Sequence, residues 1–139
     1  MRAPQKTILI IDDEKGFAEA LNDALDYEGY RVLTASTAEE ALNILKNNKV
    51  DLATVDVMMP QGPSFESQVS SDRTGIALIK TINKMYPQIF MICISVITNR
   101  KLIKEIEGSN ARFYKKGEVP LRTILDAITT KLFGRVFTS

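Results

Sequence analysis

Short apolar runs alternate with amphipathic helical patterns along the chain. Residues 7–11 form a continuous β-branched run, which is typical of a strand buried on both faces. A helix should follow and end near Gly29, because apolar side chains recur at three- and four-residue spacing at Phe17, Ala20, Leu21, Ala24 and Leu25. Further strands are predicted at 31–35, 51–57, 89–95 and 112–115, each followed by a helical pattern, the last of them at about 119–133.

This regular alternation predicts an α/β fold, because parallel strands are joined by helical crossovers. We expect a flavodoxin-like, doubly wound (βα)5 domain with a five-stranded parallel sheet in the order 2-1-3-4-5, one of two common orders for such sheets. The domain should cover residues 5–133, with an extended polar loop at 61–73 and a C-terminal tail at 134–139. Thr37 and Glu40 have the spacing of a capping box at the start of the second helix.

Composition and charge exclude several classes of function but do not by themselves indicate one. The chain has 139 residues, which suits one domain, and its net charge of +1 indicates neither a nucleic-acid partner nor an anionic membrane surface. It has no histidine, which excludes Ser-His triads and histidine metal sites. No apolar run approaches the roughly 20 residues that span a bilayer, so a cytoplasmic protein is expected. Cys93 cannot form an intramolecular disulfide and should be a buried small hydrophobe rather than a reactive thiol.

Polar residues stand at the ends of four of the five predicted strands, directly after an apolar run. They are Asp12-Asp13, Asp56, Ser95 and Lys115-Lys116. Ligands of such sheets bind at the carboxyl ends of the strands, near the switch in strand order. Three carboxylates crowded there repel one another unless a hard cation neutralises them, and Mg²⁺ prefers such oxygen ligands. Alternatively, Asp12 and Asp13 only favour the start of the first helix.

Phosphoryl transfer is the chemistry that this set of residues could perform. An aspartate can act as a nucleophile and form an aspartyl phosphate. The transferred group then needs stabilisation of its charge more than acid–base help. A metal, a lysine and a serine hydroxyl provide that stabilisation, so Asp12, Asp13, Asp56, Ser95 and Lys116 would form a complete site.

The same segments resemble the four signatures of response-regulator receiver domains, which serve two-component signal transduction. They are ILIIDDE at 8–14, DLATVDVMMP at 51–60, MICISV at 91–96 and FYKK at 113–116. The resemblance implies that Asp56 is the phosphoacceptor and takes its phosphoryl group from a histidine kinase or a histidine phosphotransfer protein. It also implies an Mg²⁺ site with ligands from Asp12, Asp13, Asp56 and the backbone carbonyl of Met58, Asp13 binding directly and Asp12 directly or through water.

The resemblance further implies a switch. Ser95 matches the residue that contacts the phosphoryl group, Lys116 the invariant lysine and Phe113 the aromatic whose rotamer reports phosphorylation; Phe113 and Tyr114 could also be ordinary strand aromatics. The face made by the fourth helix, fifth strand and fifth helix should change shape and act on a downstream protein or on an output domain outside this sequence. A homodimer through that face is a further option. No direct contact with nucleic acid or membrane is expected.

Three features depart from the family pattern. Pro60 and Gly75 are much farther apart than usual, so 61–73 is either a mobile surface loop or a lid or docking loop anchored by Phe65 and Val69. Lys116 is followed by Gly117 where relatives have proline, often in a cis bond, which leaves Lys115 as an alternative for the lysine role. Val96 replaces the usual small residue and could restrict access.

Two apolar positions bear on the lifetime of the phosphorylated state, and two other functions are alternatives to a phosphorylated receiver. Met58 and Ile97 stand where relatives flank the path of the hydrolytic water, so self-dephosphorylation should be slow. The resemblance implies a phosphoacceptor signalling domain rather than an enzyme, with only self-catalysed phosphotransfer and slow autodephosphorylation. A Mg²⁺-dependent phosphohydrolase with an aspartate nucleophile would need an acid at the position of Met58. A degenerate receiver that binds partners without phosphorylation is the other alternative.

Overall fold

The computed structural model describes residues 5–59 and 72–134. Strands and helices alternate as predicted: β1 (Thr7–Ile11), α1 (Lys15–Tyr27), β2 (Arg31–Ala35), α2 (Ala38–Asn47), β3 (Leu52–Val55), α3 (Asp72–Met85), β4 (Phe90–Ser95), α4 (Arg100–Gly108), β5 (Ala111–Lys115) and α5 (Leu121–Phe133). All strand pairs are parallel, and the sheet order is β2-β1-β3-β4-β5. The structure therefore confirms the predicted flavodoxin-like (βα)5 architecture.

Both faces of the sheet are covered by helices. Ile8 and Ile10 of β1 pack with apolar residues of α1 and α5, on the side of the sheet called the α1/α5 face. Leu9 and Ile11 pack with those of α2, α3 and α4, on the opposite side, called the α2–α4 face. All four side chains are fully buried, so the apolar run of β1 has the two buried faces that its sequence predicted. Cys93 lies in the α2–α4 face and is also fully buried, in agreement with its prediction as a small hydrophobe.

The helix starts show how local sequence decides element boundaries. Thr37 caps α2 as predicted, its side chain accepting from the Glu40 N–H at 3.1 Å. Asn99 is the cap of α4, and its side-chain oxygen accepts from the Lys101 and Leu102 N–H groups. α5 begins at Leu121 rather than at residue 119, because Pro120 is the extended N-cap residue.

Two other boundaries differ from the sequence-based prediction. β3 (Leu52–Val55) is shorter than the predicted 51–57. At its two ends, the Asp51 carboxylate accepts from the Thr7 N–H at 2.8 Å and the Asp56 carboxylate accepts from the Met58 N–H at 3.0 Å. α3 begins at Asp72, so the last two positions of the predicted 61–73 loop are helical. The remainder of that loop, with Phe65 and Val69, lies outside the described residues, as do residues 135–139 of the predicted tail.

None of the helices in the described part of the chain is both long enough and apolar enough to cross a membrane.

Candidate functional site

Strand ends bring the predicted residues to one edge of the sheet. The parallel hydrogen-bonding pattern continues past the ends of the strands: the Asp56 N–H donates to the Ile11 carbonyl at 2.9 Å, and the Lys116 N–H donates to the Ser95 carbonyl at 2.9 Å. Asp12 follows Ile11 directly, so β1, β3, β4 and β5 each deliver one polar side chain to this edge.

Lys116 joins the carboxylates of this edge. Its ammonium lies 2.7 Å from Asp12 Oδ2, 3.0 Å from Asp56 Oδ2 and 3.0 Å from Glu14 Oε1. The Asp12, Asp56 and Lys116 side chains are each less than one-tenth exposed, whereas Glu14 is 60% exposed. Two carboxylates and one ammonium therefore share a nearly dry position, where charge–charge interactions are much stronger than in water.

The second oxygen of each buried carboxylate is bound to the main chain. Asp12 Oδ1 accepts from the Glu14 N–H at 2.9 Å, and Asp56 Oδ1 accepts from the Met58 N–H at 3.0 Å. These are local turns in which an aspartate bonds the backbone two residues onward. Each aspartate is thus fixed by one backbone donor and by the shared lysine, so its orientation is set before any ligand arrives.

The edge also has the donor set of a hard divalent cation. One carboxylate oxygen from each of Asp12, Asp13 and Asp56 lies within 4.8 Å of the others. Asp12 and Asp56 are buried and Asp13 is exposed, so the cluster is open to solvent on one side. Carboxylate oxygens from two or three residues, completed by waters, are what Mg²⁺ accepts. The residues present fit that ion.

A buried hydroxyl lies at the end of the neighbouring strand. Ser95 is fully buried, and among the described residues its Oγ has no hydrogen-bond partner. An unpaired buried hydroxyl costs about 1–3 kcal/mol, so such groups in native proteins usually have a function or an absent partner. A phosphoryl oxygen at this edge would be an acceptor for it.

Burial and charge shift the proton affinities of the site. Burial, together with the nearby Asp56 charge, raises the pKa of Asp12 to about 6, although hydrogen bonds from Lys116 and the Glu14 backbone act in the opposite direction. Burial lowers the pKa of Lys116, but its hydrogen bonds to Asp12, Asp56 and Glu14 outweigh burial and raise the pKa above its ordinary value. Burial, reinforced by Asp56, also raises the pKa of the Cys93 thiol above its ordinary value.

The predicted switch residues lie on the same face of the sheet. Phe113 is half-buried, pairs in register with Cys93 and packs against the α2–α4 face, whereas Tyr114 packs against the α1/α5 face. Ser95 is two residues after Cys93 and therefore points to the same side as Phe113. The two tandem aromatics thus have different surroundings, and only Phe113 shares a face with the serine.

The structure brings Lys116 rather than Lys115 to the carboxylates. Lys115 forms an ion pair with Glu118 at 3.1 Å, away from the acidic cluster. Met58 and Ile97 are both half-buried, and Val96 is 58% exposed. Met59, the residue after Met58, is fully buried in the core.

Three residues of this edge were not recognised from the sequence as parts of a site. Glu14 contacts Lys116, and the Lys116 ammonium lies 4.6 Å from the centroid of the Phe17 ring. Gly75 of α3 donates its N–H to the Val57 carbonyl at 3.1 Å, and a Cβ there would lie 2.2 Å from that oxygen. The available signals were the proximity of Glu14 and Phe17 to Asp13 in sequence, and a glycine in the first turn of α3.

Comparison with known proteins identifies the family. The response regulator receiver domain family matches residues 8–128. A response regulator receiver domain protein (CheY-like) from Methanospirillum hungatei JF-1 superposes with a TM-score of 0.78 at 26% identity, over 92% of this chain and 94% of that one. A two-component response regulator from Clostridium difficile gives 0.77 at 25% identity, over 96% and 100%. The chain belongs to the response-regulator receiver domain family, a family of signalling domains.

Curated relatives are longer than this chain. The transcriptional regulatory protein YvrH of Bacillus subtilis (strain 168) is 48% identical over 62 residues, which are 44% of this chain and 26% of that protein. The chain thus spans about a quarter of the length of YvrH. What the rest of such a protein does is therefore not carried over to this chain.

Proposed function

We propose that this receiver domain accepts a phosphoryl group on Asp56 from a sensor histidine kinase or a histidine phosphotransfer protein. The observation that carries the proposal is the setting of Asp56. Its carboxylate is held by the Met58 N–H and the Lys116 ammonium, and the neighbouring strand β4 ends in Ser95, whose buried hydroxyl has no hydrogen-bond partner within residues 5–59 and 72–134. A fixed nucleophile, a cation and a hydroxyl donor are the parts that phosphoryl transfer requires.

The reaction itself is a displacement at phosphorus. One Asp56 oxygen attacks the phosphorus of a phosphohistidine; the O–P bond forms as the N–P bond breaks, and its electron pair remains on the imidazole nitrogen. Lys116 stabilises the charge on the phosphoryl oxygens, and the Ser95 hydroxyl donates a hydrogen bond to one of them. Mg²⁺ held by Asp12, Asp13, Asp56 and the Met58 carbonyl would supply further charge neutralisation at those oxygens.

The signal would then pass to the face formed by α4, β5 and α5. Movement of Ser95 toward the phosphoryl group would vacate space on the side of the sheet where Phe113 packs. Phosphorylation would thereby favour one of two packings that are already in equilibrium. We propose that a downstream protein, an output domain or a second copy of the chain recognises this face. A cytoplasmic location stays a prediction from the sequence.

Transfer of labelled phosphate tests the proposal. Wild-type protein should take label from phosphohistidine or acetyl phosphate in the presence of Mg²⁺, and Asp56→Asn should take none. Asp23→Asn, which removes an exposed carboxylate from α1, serves as the matched control and should label like wild type. Label on Asp56→Asn would refute the assignment, and an unlabelled wild-type protein would favour a receiver that binds partners without phosphorylation.

Steady turnover of phosphate esters would instead indicate a phosphohydrolase. The half-buried Met58 makes this outcome unexpected, because it places an apolar side chain where such an enzyme needs an acid.

A further inference from the structure

Within the described part of the chain, the Lys116 ammonium contacts three carboxylates and one aromatic ring. The oxygens of Asp12, Glu14 and Asp56 lie 2.7–3.0 Å away, and the ring is that of Phe17, with its centroid at 4.6 Å. A cation within about 6 Å of an aromatic centroid is attracted by the negative face of the ring, most strongly when it is shielded from water. The Lys116 side chain is 8% exposed, which meets that condition.

The backbone around Lys116 fixes the position of its Cα but not the direction of its long side chain. Gly117 follows with a φ of +88°, a conformation open to glycine. The backbone of Lys116 is anchored on the other side through its N–H bond to Ser95. A lysine side chain carries about 2 kcal/mol of rotamer entropy, so its direction must be set by the groups that the ammonium touches.

These groups differ in what happens to them during phosphoryl transfer. Asp12 and Asp56 belong to the carboxylate cluster that a divalent cation would share, and Asp56 would itself become esterified. Glu14 is 60% exposed, so its ion pair with Lys116 is weakened by water and salt. The Phe17 ring is uncharged and lies outside the carboxylate cluster, so it is neither a ligand for a cation nor altered by esterification of Asp56.

We infer that Phe17 is a positioning residue for phosphoryl transfer: its ring holds the Lys116 ammonium at the carboxylate cluster while Asp12 and Asp56 exchange partners. The inference rests on the proposed function, in which Asp56 accepts the phosphoryl group and Lys116 stabilises it. Phe17 lies in the first turn of α1 and also packs against the apolar core of the α1/α5 face. Its position is therefore fixed independently of the lysine.

Three variants test whether the aromatic ring of Phe17, rather than its apolar volume, holds the Lys116 ammonium. Phe17→Leu keeps an apolar side chain without a ring, and Phe17→Tyr keeps the ring. Phe90→Leu is the matched control, because Phe90 also lies under a lysine, with Lys131 Nζ 5.5 Å from its centroid, but begins β4 at the opposite edge of the sheet. Urea denaturation of each variant shows whether the fold is retained.

The spectroscopic readout is the NMR shift of the Lys116 side chain. In wild-type protein the ring current of Phe17 should shift the Lys116 ε-methylene and ammonium protons upfield. Phe17→Leu should abolish that upfield shift, Phe17→Tyr should retain it and Phe90→Leu should leave it unchanged. Unshifted Lys116 protons in wild-type protein, or a shift that survives Phe17→Leu, would overturn the inference.

The kinetic readout is the rate at which Asp56 takes label from acetyl phosphate in saturating Mg²⁺. Phe17→Leu should slow labelling about tenfold, the equivalent of ~1.4 kcal/mol, within the range of a shielded cation–π contact. Phe17→Tyr and Phe90→Leu should label at nearly the wild-type rate. Normal labelling of Phe17→Leu overturns the inference alone, whereas unlabelled wild-type protein overturns the proposed function on which it rests.

Discussion

At the scale of single residues, Lys116 neutralises charge that the fold has buried. Asp12 and Asp56 come from different strands, and their carboxylates meet on the same ammonium. Breaking a buried ion pair by removing one partner is costly, because the charge left behind is uncompensated. The site therefore depends on the lysine for its resting geometry as well as for its chemistry.

Asp12 should couple cation binding to pH. Its pKa of about 6 means that a proton competes with Mg²⁺ below that pH, so the apparent dissociation constant should rise about tenfold per pH unit below 6. Calorimetric titrations between pH 5 and 8 measure this. Asp12→Asn should bind more weakly at every pH but with little pH dependence; a wild-type affinity that is flat from pH 8 to 5 would contradict the prediction.

Asp12 should have the opposite pH effect on the stability of the metal-free protein, which should be greater at low pH. Because its pKa rises from 3.8 in the unfolded chain to about 6 in the fold, the folded state binds more protons between these values. Stability contributed by Asp12 is therefore fully present below pH 3.8 and is lost as the pH rises through 6. Urea denaturation without divalent cations should show this loss of stability with rising pH in wild-type protein and not in Asp12→Asn.

Met58 and Ile97 should prolong the life of the aspartyl phosphate. Both are half-buried apolar side chains that cannot hydrogen-bond an attacking water. Polar substitutions, Met58→Asn and Ile97→Gln, should speed loss of label from phosphorylated protein on the order of tenfold, or ~1.4 kcal/mol of barrier. The decay of label after removal of the donor measures this. Rapid decay in wild-type protein, with no change in either variant, would be the contrary result.

At the scale of elements, the start of α3 packs directly against Val57, the residue that follows Asp56. Gly75 lies so close to Val57 that a Cβ would fall 2.2 Å from its carbonyl oxygen and 2.3 Å from its Cα. Such atoms cannot give way as the end of a flexible side chain can. The contact therefore requires glycine for reasons of space, and it fixes where α3 begins relative to Asp56.

Gly75→Ala should destabilise the protein by about 1–3 kcal/mol, since overpacking forces the backbone of α3 or β3 to shift. Gly16→Ala in α1 is the matched control, because a Cβ there meets nothing within 4 Å. That control should be neutral or stabilising by up to about 1 kcal/mol, as alanine favours helix. Urea midpoints measure both changes, and equal stability of the two variants would be inconsistent with the close contact.

At the scale of the whole molecule, parallel topology explains why much of the site was predictable. Carboxyl ends of adjacent parallel strands must share an edge, so residues directly after the runs of β1, β3, β4 and β5 had to converge once the order was known. The contact between Phe17 and Lys116 was not predictable, because the helical spacing of Phe17 indicates only a core position and Lys116 follows the distant strand β5. The boundary at Asp72 was also missed, since polar residues at a helix start resemble a loop.

Cation binding should stabilise the whole fold. An ion that binds only the folded protein adds about 2.7 kcal/mol at a concentration 100 times its dissociation constant. Urea denaturation with and without Mg²⁺, at matched ionic strength, measures the gain. Asp13→Asn should lose most of it, because Asp13 is one of the three clustered carboxylates. A gain of equal size in that variant would mean that the ion binds elsewhere.

The contact between Gly75 and Val57 has a consequence for hydrogen exchange. The Gly75 N–H donates to the Val57 carbonyl at 3.1 Å, at a position where a Cβ would not fit. Exchange of this N–H with solvent therefore requires the start of α3 to move away from Val57. The Gly75 amide should thus report directly on local opening between α3 and the residue that follows Asp56.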